Sequence, residues 1–261
     1  MIKLQQSVVL CILLLISGFL QAEEGFPGRK LYPTVGTIEL DELRQQLDEL
    51  TVVDVRSRFE YDTLHIAGAH HVALSDRDFA TRVASLEAES GKPLVFYCNG
   101  RTCEKSYRAV AKTEHESTSA PRSFDAGIFD WARANPDRTV LLGQPLDDAG
   151  KLLTREKFEA HLLPPDQFGR ELQAAGFAVD ARDSKERAGL ALFMGWEKRI
   201  PFDNREKWDR LLSERTDNNK PLLIYDAVGK QVQWLQYFLE ARGVQNYYFM
   251  AGGAKAFFDT L

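Results

Sequence analysis

One pattern occurs twice in the chain, and both copies must be stable solutions of a single architecture. The first copy holds Thr51-Val52-Val53-Asp54-Val55-Arg56, with Glu60 four residues after the arginine. The second, about 126 residues later, holds Phe177-Ala178-Val179-Asp180-Ala181-Arg182, with Glu186 at the same spacing. Each copy then reaches an apolar run, Pro93-Leu94-Val95-Phe96-Tyr97-Cys98 and Pro221-Leu222-Leu223-Ile224-Tyr225-Asp226. The residue after the tyrosine lies 44 positions beyond Asp54 in the first copy and 46 beyond Asp180 in the second. A small-residue turn and an aromatic residue follow in both, Phe124 to Trp131 and Phe249 to Phe257. Three landmarks in the same order argue for a tandem duplication.

Short apolar runs read as buried strands and alternate with helical patterns. Gln231 to Ala241 has helical length and apolar spacing and stops at Arg242-Gly243. Asn246 to Phe249 then reads as a strand. Strand, helix, strand implies a parallel sheet covered by helices, so the fold class is α/β, with one small parallel sheet per copy. The expected domains are 23–143 and 151–261, joined by a polar linker at 144–150. Residues Gly189 to Trp196 form an apolar insert in the second copy. It reads as buried core, with packing between domains as the alternative. A length of 261 residues, 44% apolar and 27% charged, supplies two cores and excludes wholesale disorder or a multi-span membrane protein.

Residues 1–22 read as a signal peptide. Lys3 is followed by Ser7 to Leu20, an uncharged run of 14 residues, shorter than the ~20 a spanning helix needs. Cleavage after Ala22 places the mature protein in the periplasm or outside the cell, with no stable membrane insertion; an uncleaved anchor is the alternative. Loss of Lys3 takes the net charge from −5 to −6. That balance argues against nucleic acid as a partner. Of the three cysteines, Cys98 and Cys103 remain in the mature chain, too few for a disulfide-built fold.

Cys98-Asn99-Gly100-Arg101-Thr102-Cys103-Glu104-Lys105-Ser106 lies between a buried strand and a helical stretch, Ser106 to Lys112. A loop entering a helix N-terminus turns backbone N–H groups inward and forms an anion cradle. With Arg101 and Lys105 nearby, it favours a thiolate, the nucleophile for sulfane sulfur. Asn99, Gly100, Arg101, Thr102 and Lys105 are thus the expected substrate-binding residues, and Cys98 and Cys103 the candidate catalytic ones. Asp54, Arg56 and Glu60 read as structure, with a spacing at which Arg56 and Glu60 can form an internal ion pair beneath this loop. No metal site is expected, because two thiols lack further ligands and His70 and His71 alternate on a strand.

Asp54-Val55-Arg56, His65-Ile66-Ala67-Gly68-Ala69, the strand ending in Tyr97-Cys98, and Gly127 with Trp131 resemble the rhodanese family. The resemblance implies two rhodanese-like domains and a sulfurtransferase carrying a persulfide on Cys98, without a cofactor. The donor would be a small sulfur-containing anion such as thiosulfate, or a persulfide; the acceptor would be cyanide or a thiol, including a protein thiol. Asp226 stands at the cysteine position of the second copy and cannot carry sulfur, so that domain is expected to be inactive. The loop departs from the family pattern: Ser106 lies eight positions after Cys98, about two more than usual. Cys103 either resolves the persulfide or lines the loop as a bystander. Two further readings stay open: a thiol–disulfide oxidoreductase using both cysteines, and a non-enzymatic binding module.

Overall fold

The computed structural model describes residues 25–115, 117–183, 186–187, 191–215 and 220–261. The expected signal peptide, at 1–22, lies outside the described residues. The chain divides into two compact units, one ending at Ala149 and one starting at Gly150.

The first unit runs α1 (Pro27–Leu31), α2 (Leu40–Gln46), β1 (Thr51–Asp54), α3 (Arg58–Thr63), β2 (Leu64–Ile66), β3 (His70–His71), α4 (Phe79–Ser90), β4 (Leu94–Tyr97), α5 (Lys105–Thr113), β5 (Arg122–Phe124), α6 (Gly127–Ala134), β6 (Thr139–Leu141) and β7 (Gln144–Pro145). Its main sheet is parallel, in the order β3-β1-β4-β5. Thr37 adds a parallel bridge to Ser123 beyond β5. Every residue of β1 and β4 is buried, as a strand covered on both faces requires, so these strands read as continuous apolar runs without alternation. Val53, Val55, Phe79, Val83, Phe96 and Val110 are among the core residues.

The second unit runs α7 (Arg155–Glu159), β8 (Leu162–Leu163), α8 (Pro165–Ala175), β9 (Ala178–Asp180), β10 (Glu197–Arg199), α9 (Arg205–Glu214), β11 (Leu222–Tyr225), α10 (Val232–Ala241), β12 (Tyr247–Met250) and α11 (Gly253–Phe258). Its parallel sheet has the order β10-β9-β11-β12-β8. That order matches the first sheet strand for strand, with β8 in the place of the Thr37 bridge. Register matches too: Asp54 lies opposite Tyr97, and Asp180 opposite Tyr225. Cys98 and Asp226 therefore each follow an interior strand, at the carboxyl edge where open α/β sheets build their sites.

Two sequence expectations need correction. The run read as a linker at 144–150 begins as structure: Gln144–Pro145 pairs with β6, and Leu146 is buried with its N–H on Thr139 O, 2.8 Å. Leu142 and Gly143, both at positive φ, make the tight turn that allows this. Of the apolar insert, residues 189–190 lie outside the described residues. Leu192 and Phe193 pack against the core of the second unit, whereas Met194 and Trp196 are exposed, at 81% and 51%.

Candidate active site in the Cys98 loop

The floor of the site is a buried charge network. Arg56 is fully buried and grips Asp54 with two nitrogens, Nε to Oδ1 at 2.9 Å and Nη2 to Oδ2 at 2.6 Å. Side chains two apart on an extended backbone share a face, which brings the pair together. Burial works against the Arg56 charge, but Asp54 more than compensates and raises its pKa. Nη2 also donates to Leu64 O at 2.5 Å, and Nη1 to Asn99 Oδ1 at 3.3 Å.

Glu60 does not take Arg56 as its hydrogen-bonded partner, contrary to the sequence reading. It closes a capping box with Ser57 and accepts from Asn99 Nδ2 at 2.9 Å. Lys105 Nζ lies 3.9 Å away. Burial pushes the Glu60 carboxyl up, but the charges of Arg56 and Lys105, with Asn99 and Ser57, bring it below its ordinary value. Asn99 is thereby clamped between Arg56 and Glu60, and the residue after Cys98 is fixed to the floor.

Cys98 and Cys103 are joined as a disulfide, with Cα atoms 6.4 Å apart. Cys98 is fully buried; Cys103 is half-buried against the same core. Ser106 Oγ lies 3.7 Å from Cys98 Sγ and accepts from Ser123 Oγ at 2.9 Å. A disulfide sulfur has no proton to give, so the Ser106 hydroxyl is the donor to sulfur. Sequence reasoning did not place Ser106 or Ser123 in the site; the position of Ser106 in the first turn of α5 was the available signal.

The N-terminus of α6 seats the loop. Ile128 N–H donates to Cys98 O at 2.9 Å and Phe129 N–H to Asn99 O at 3.4 Å. Gly127 has φ +67°, and a Cβ there would stand 2.5 Å from Gly100 N. Only glycine permits this approach.

The expected substrate-binding residues separate into groups. Cys103 N–H donates to Gly100 O at 2.8 Å, so that amide closes a turn and does not join the expected cradle. Arg101, about half exposed, pairs with Asp130 at 2.7 Å and lies over the Phe26 ring. Lys105 faces Glu60, Thr102 is exposed, and Asn99 serves the floor. His65 Nδ1 bonds to Tyr61 O and His71 Nε2 to Arg56 O. Among the described residues no cluster of three ligating side chains could hold a metal.

The corresponding loop of the second unit encloses its own anion. The Asp226 carboxylate accepts from the N–H groups of Val228 at 3.1 Å, Gln231 at 2.6 Å, Val232 at 3.2 Å, and Gly229. Burial nevertheless raises its pKa against those donors. Ala254 N–H donates to Asp226 O at 2.8 Å, as Ile128 does to Cys98 O, and Gly253 occupies the place of Gly127.

Residues 39–134 match the model of the rhodanese-like domain. A 105-residue stretch is 30% identical to an HTH-type transcriptional regulator of Mycobacterium tuberculosis, covering 40% of this chain and 41% of that protein. The chain thus spans about two fifths of the length of this curated relative. A thiosulfate sulfurtransferase from Pseudomonas aeruginosa is similar at 16% identity and TM-score 0.42, over 87% of this chain and 42% of that one. A rhodanese-related protein from Thermoplasma volcanium is similar at 22% identity and TM-score 0.33, over 38% and 92%. With its parallel sheet, its seated cysteine loop and this family match, the segment 39–134 is a rhodanese-like domain.

Proposed function

We propose that the chain is an exported sulfurtransferase in which Cys98 carries sulfane sulfur. The supporting observation is the position of the Cys98 sulfur: at the end of interior strand β4 of a rhodanese-like domain, beside the Ser106 hydroxyl and the first turn of α5. A hydroxyl donor and a helix N-terminus both favour negative charge on that sulfur. The reduced Cys98 thiolate attacks the outer sulfur of thiosulfate or of a persulfide donor. With thiosulfate, sulfite leaves and Cys98–S–S⁻ remains. A thiol or cyanide then takes the outer sulfur. The second unit is a rhodanese-like domain silenced by Asp226, whose carboxylate fills the position a sulfur would need. Export rests on the Ser7 to Leu20 run, and N-terminal sequencing of protein from a secreting cell is expected to begin near Glu23.

The test is to treat the reduced chain with thiosulfate and follow sulfite and peptide mass. Sulfite release is expected from wild type, with the sulfur retained on the Cys98 peptide in Cys103→Ser, and Cys98→Ser is expected to abolish sulfite release. The Cys98–Cys103 disulfide favours a second reading, a thiol–disulfide oxidoreductase. Dithiol oxidation without any sulfite from thiosulfate would select that reading instead.

A further inference from the structure

We infer that Cys98 and Cys103 work as a resolving pair: Cys103 displaces sulfide from the Cys98 persulfide, and an external dithiol reopens the resulting disulfide by attacking Cys103. This rests on the sulfur-carrier reading of Cys98. The backbone already holds the two Cα atoms 6.4 Å apart, within the roughly 4.4–6.8 Å that disulfides use. Two features produce that approach. The Gly100–Cys103 turn folds Cys103 back towards the strand end, and the Gly127 contact holds the other side of the loop in place.

The two sulfurs are not equivalent. Cys98 has no exposed surface, and its sulfur takes the Ser106 hydroxyl. Cys103 is half-buried between exposed Thr102 and exposed Glu104. A dithiol reductant therefore meets Cys103 first. Leaving-group chemistry agrees, since the sulfur that departs does so more readily where negative charge is stabilised.

The steps balance. In the first, the Cys103 thiolate attacks Cys98 Sγ. The bond between Cys98 Sγ and the outer sulfur breaks, and the outer sulfur leaves as hydrosulfide with the proton from Cys103. That sulfur is reduced while the two cysteines are oxidised to the disulfide. In the second, one thiolate of the dithiol attacks Cys103 Sγ and Cys98 leaves as thiolate. The second thiol of the reductant then releases Cys103, and the reductant departs as its own disulfide. The sum converts thiosulfate and a dithiol into sulfite, sulfide and a disulfide.

The experiment uses the full chain, reduced and freed of reductant, with thiosulfate as the only addition. Wild type is expected to release about one sulfide per chain and to end about 2 Da lighter than its reduced form. Added dithiothreitol is expected to make the release catalytic. Cys103→Ser is expected to end about 32 Da heavier and to release less than about a tenth of that sulfide. A wild type that keeps the added sulfur as the variant does, or a variant that releases sulfide as fast as wild type, overturns the pairing. Failure of both proteins to release sulfite removes the carrier reading and the pairing with it. For the point of attack, a bulky aromatic disulfide is expected to label Cys103 in Cys98→Ser at least about tenfold faster than Cys98 in Cys103→Ser. Equal labelling rates would overturn Cys103 as the exposed partner.

Discussion

Glu87, on α4, shows how one buried charge ties a loop to the core. Its carboxylate accepts from Ser117 Oγ at 2.8 Å, Thr118 N–H at 3.1 Å, Ser119 N–H at 2.9 Å and Ser119 Oγ at 2.6 Å. Burial alone would raise the carboxyl, but these donors pull it down from 4.5 to about 2. The folded state thus binds this proton less readily than the unfolded chain. The resulting stability is present in full above about pH 4.5 and is lost as pH falls towards about 2. Glu87→Gln is expected to cost about 1–3 kcal/mol at neutral pH, with the gap to wild type closing across that window. Urea unfolding at stepped pH checks this; a gap independent of pH would show that the charge is not what matters. Arg56 and Asp54 follow the same logic in the other unit of currency, a paired charge, since neither is tolerable in the core without its partner.

At the scale of elements, the same device positions both loops: a helix whose first glycine lets the backbone of the strand-end loop approach. Gly127 and Gly253 have φ +67° and +61°, and a Cβ on either would stand under 3 Å from the loop it faces. Gly127→Ala is expected to destabilise by more than about 1 kcal/mol and to reduce sulfur uptake at Cys98, because the loop must move. Gly253→Ala is expected to carry a similar stability cost with sulfur uptake unchanged. Thermal melts and sulfite release from thiosulfate separate the two effects. Uptake lost equally in both variants would mean that the loops do not act independently.

At the scale of the molecule, the two units each have their own sheet and core, so the chemistry is expected to belong to one of them. A chain ending at Ala149 should keep Leu146 in place, unfold cooperatively and accept sulfur on Cys98. A chain starting at Gly150 should accept none. Circular dichroism melts with sulfite release from thiosulfate provide the check, and sulfite release by the second piece would refute the role given to Asp226.

Apolar runs of the right length, repeated with the same landmarks, were enough to read two parallel sheets, the helix at 232–241 and the cysteine at a strand end. Those features follow from hydrophobic periodicity, which is local and adds up along the chain. Partner choice among polar groups was not legible. The spacing of Arg56 and Glu60 allowed an ion pair, yet Arg56 took Asp54, and Glu60 took Ser57 and Asn99. Phe193 went to the core while Met194, its neighbour in an equally apolar run, stayed in solvent. The spacing of Cys98 and Cys103 left open whether the sulfurs meet. A turn at Gly100 and a glycine 24 residues after Cys103 decided that, because bonds of this kind depend on positions within about an ångström, set only once distant elements have packed.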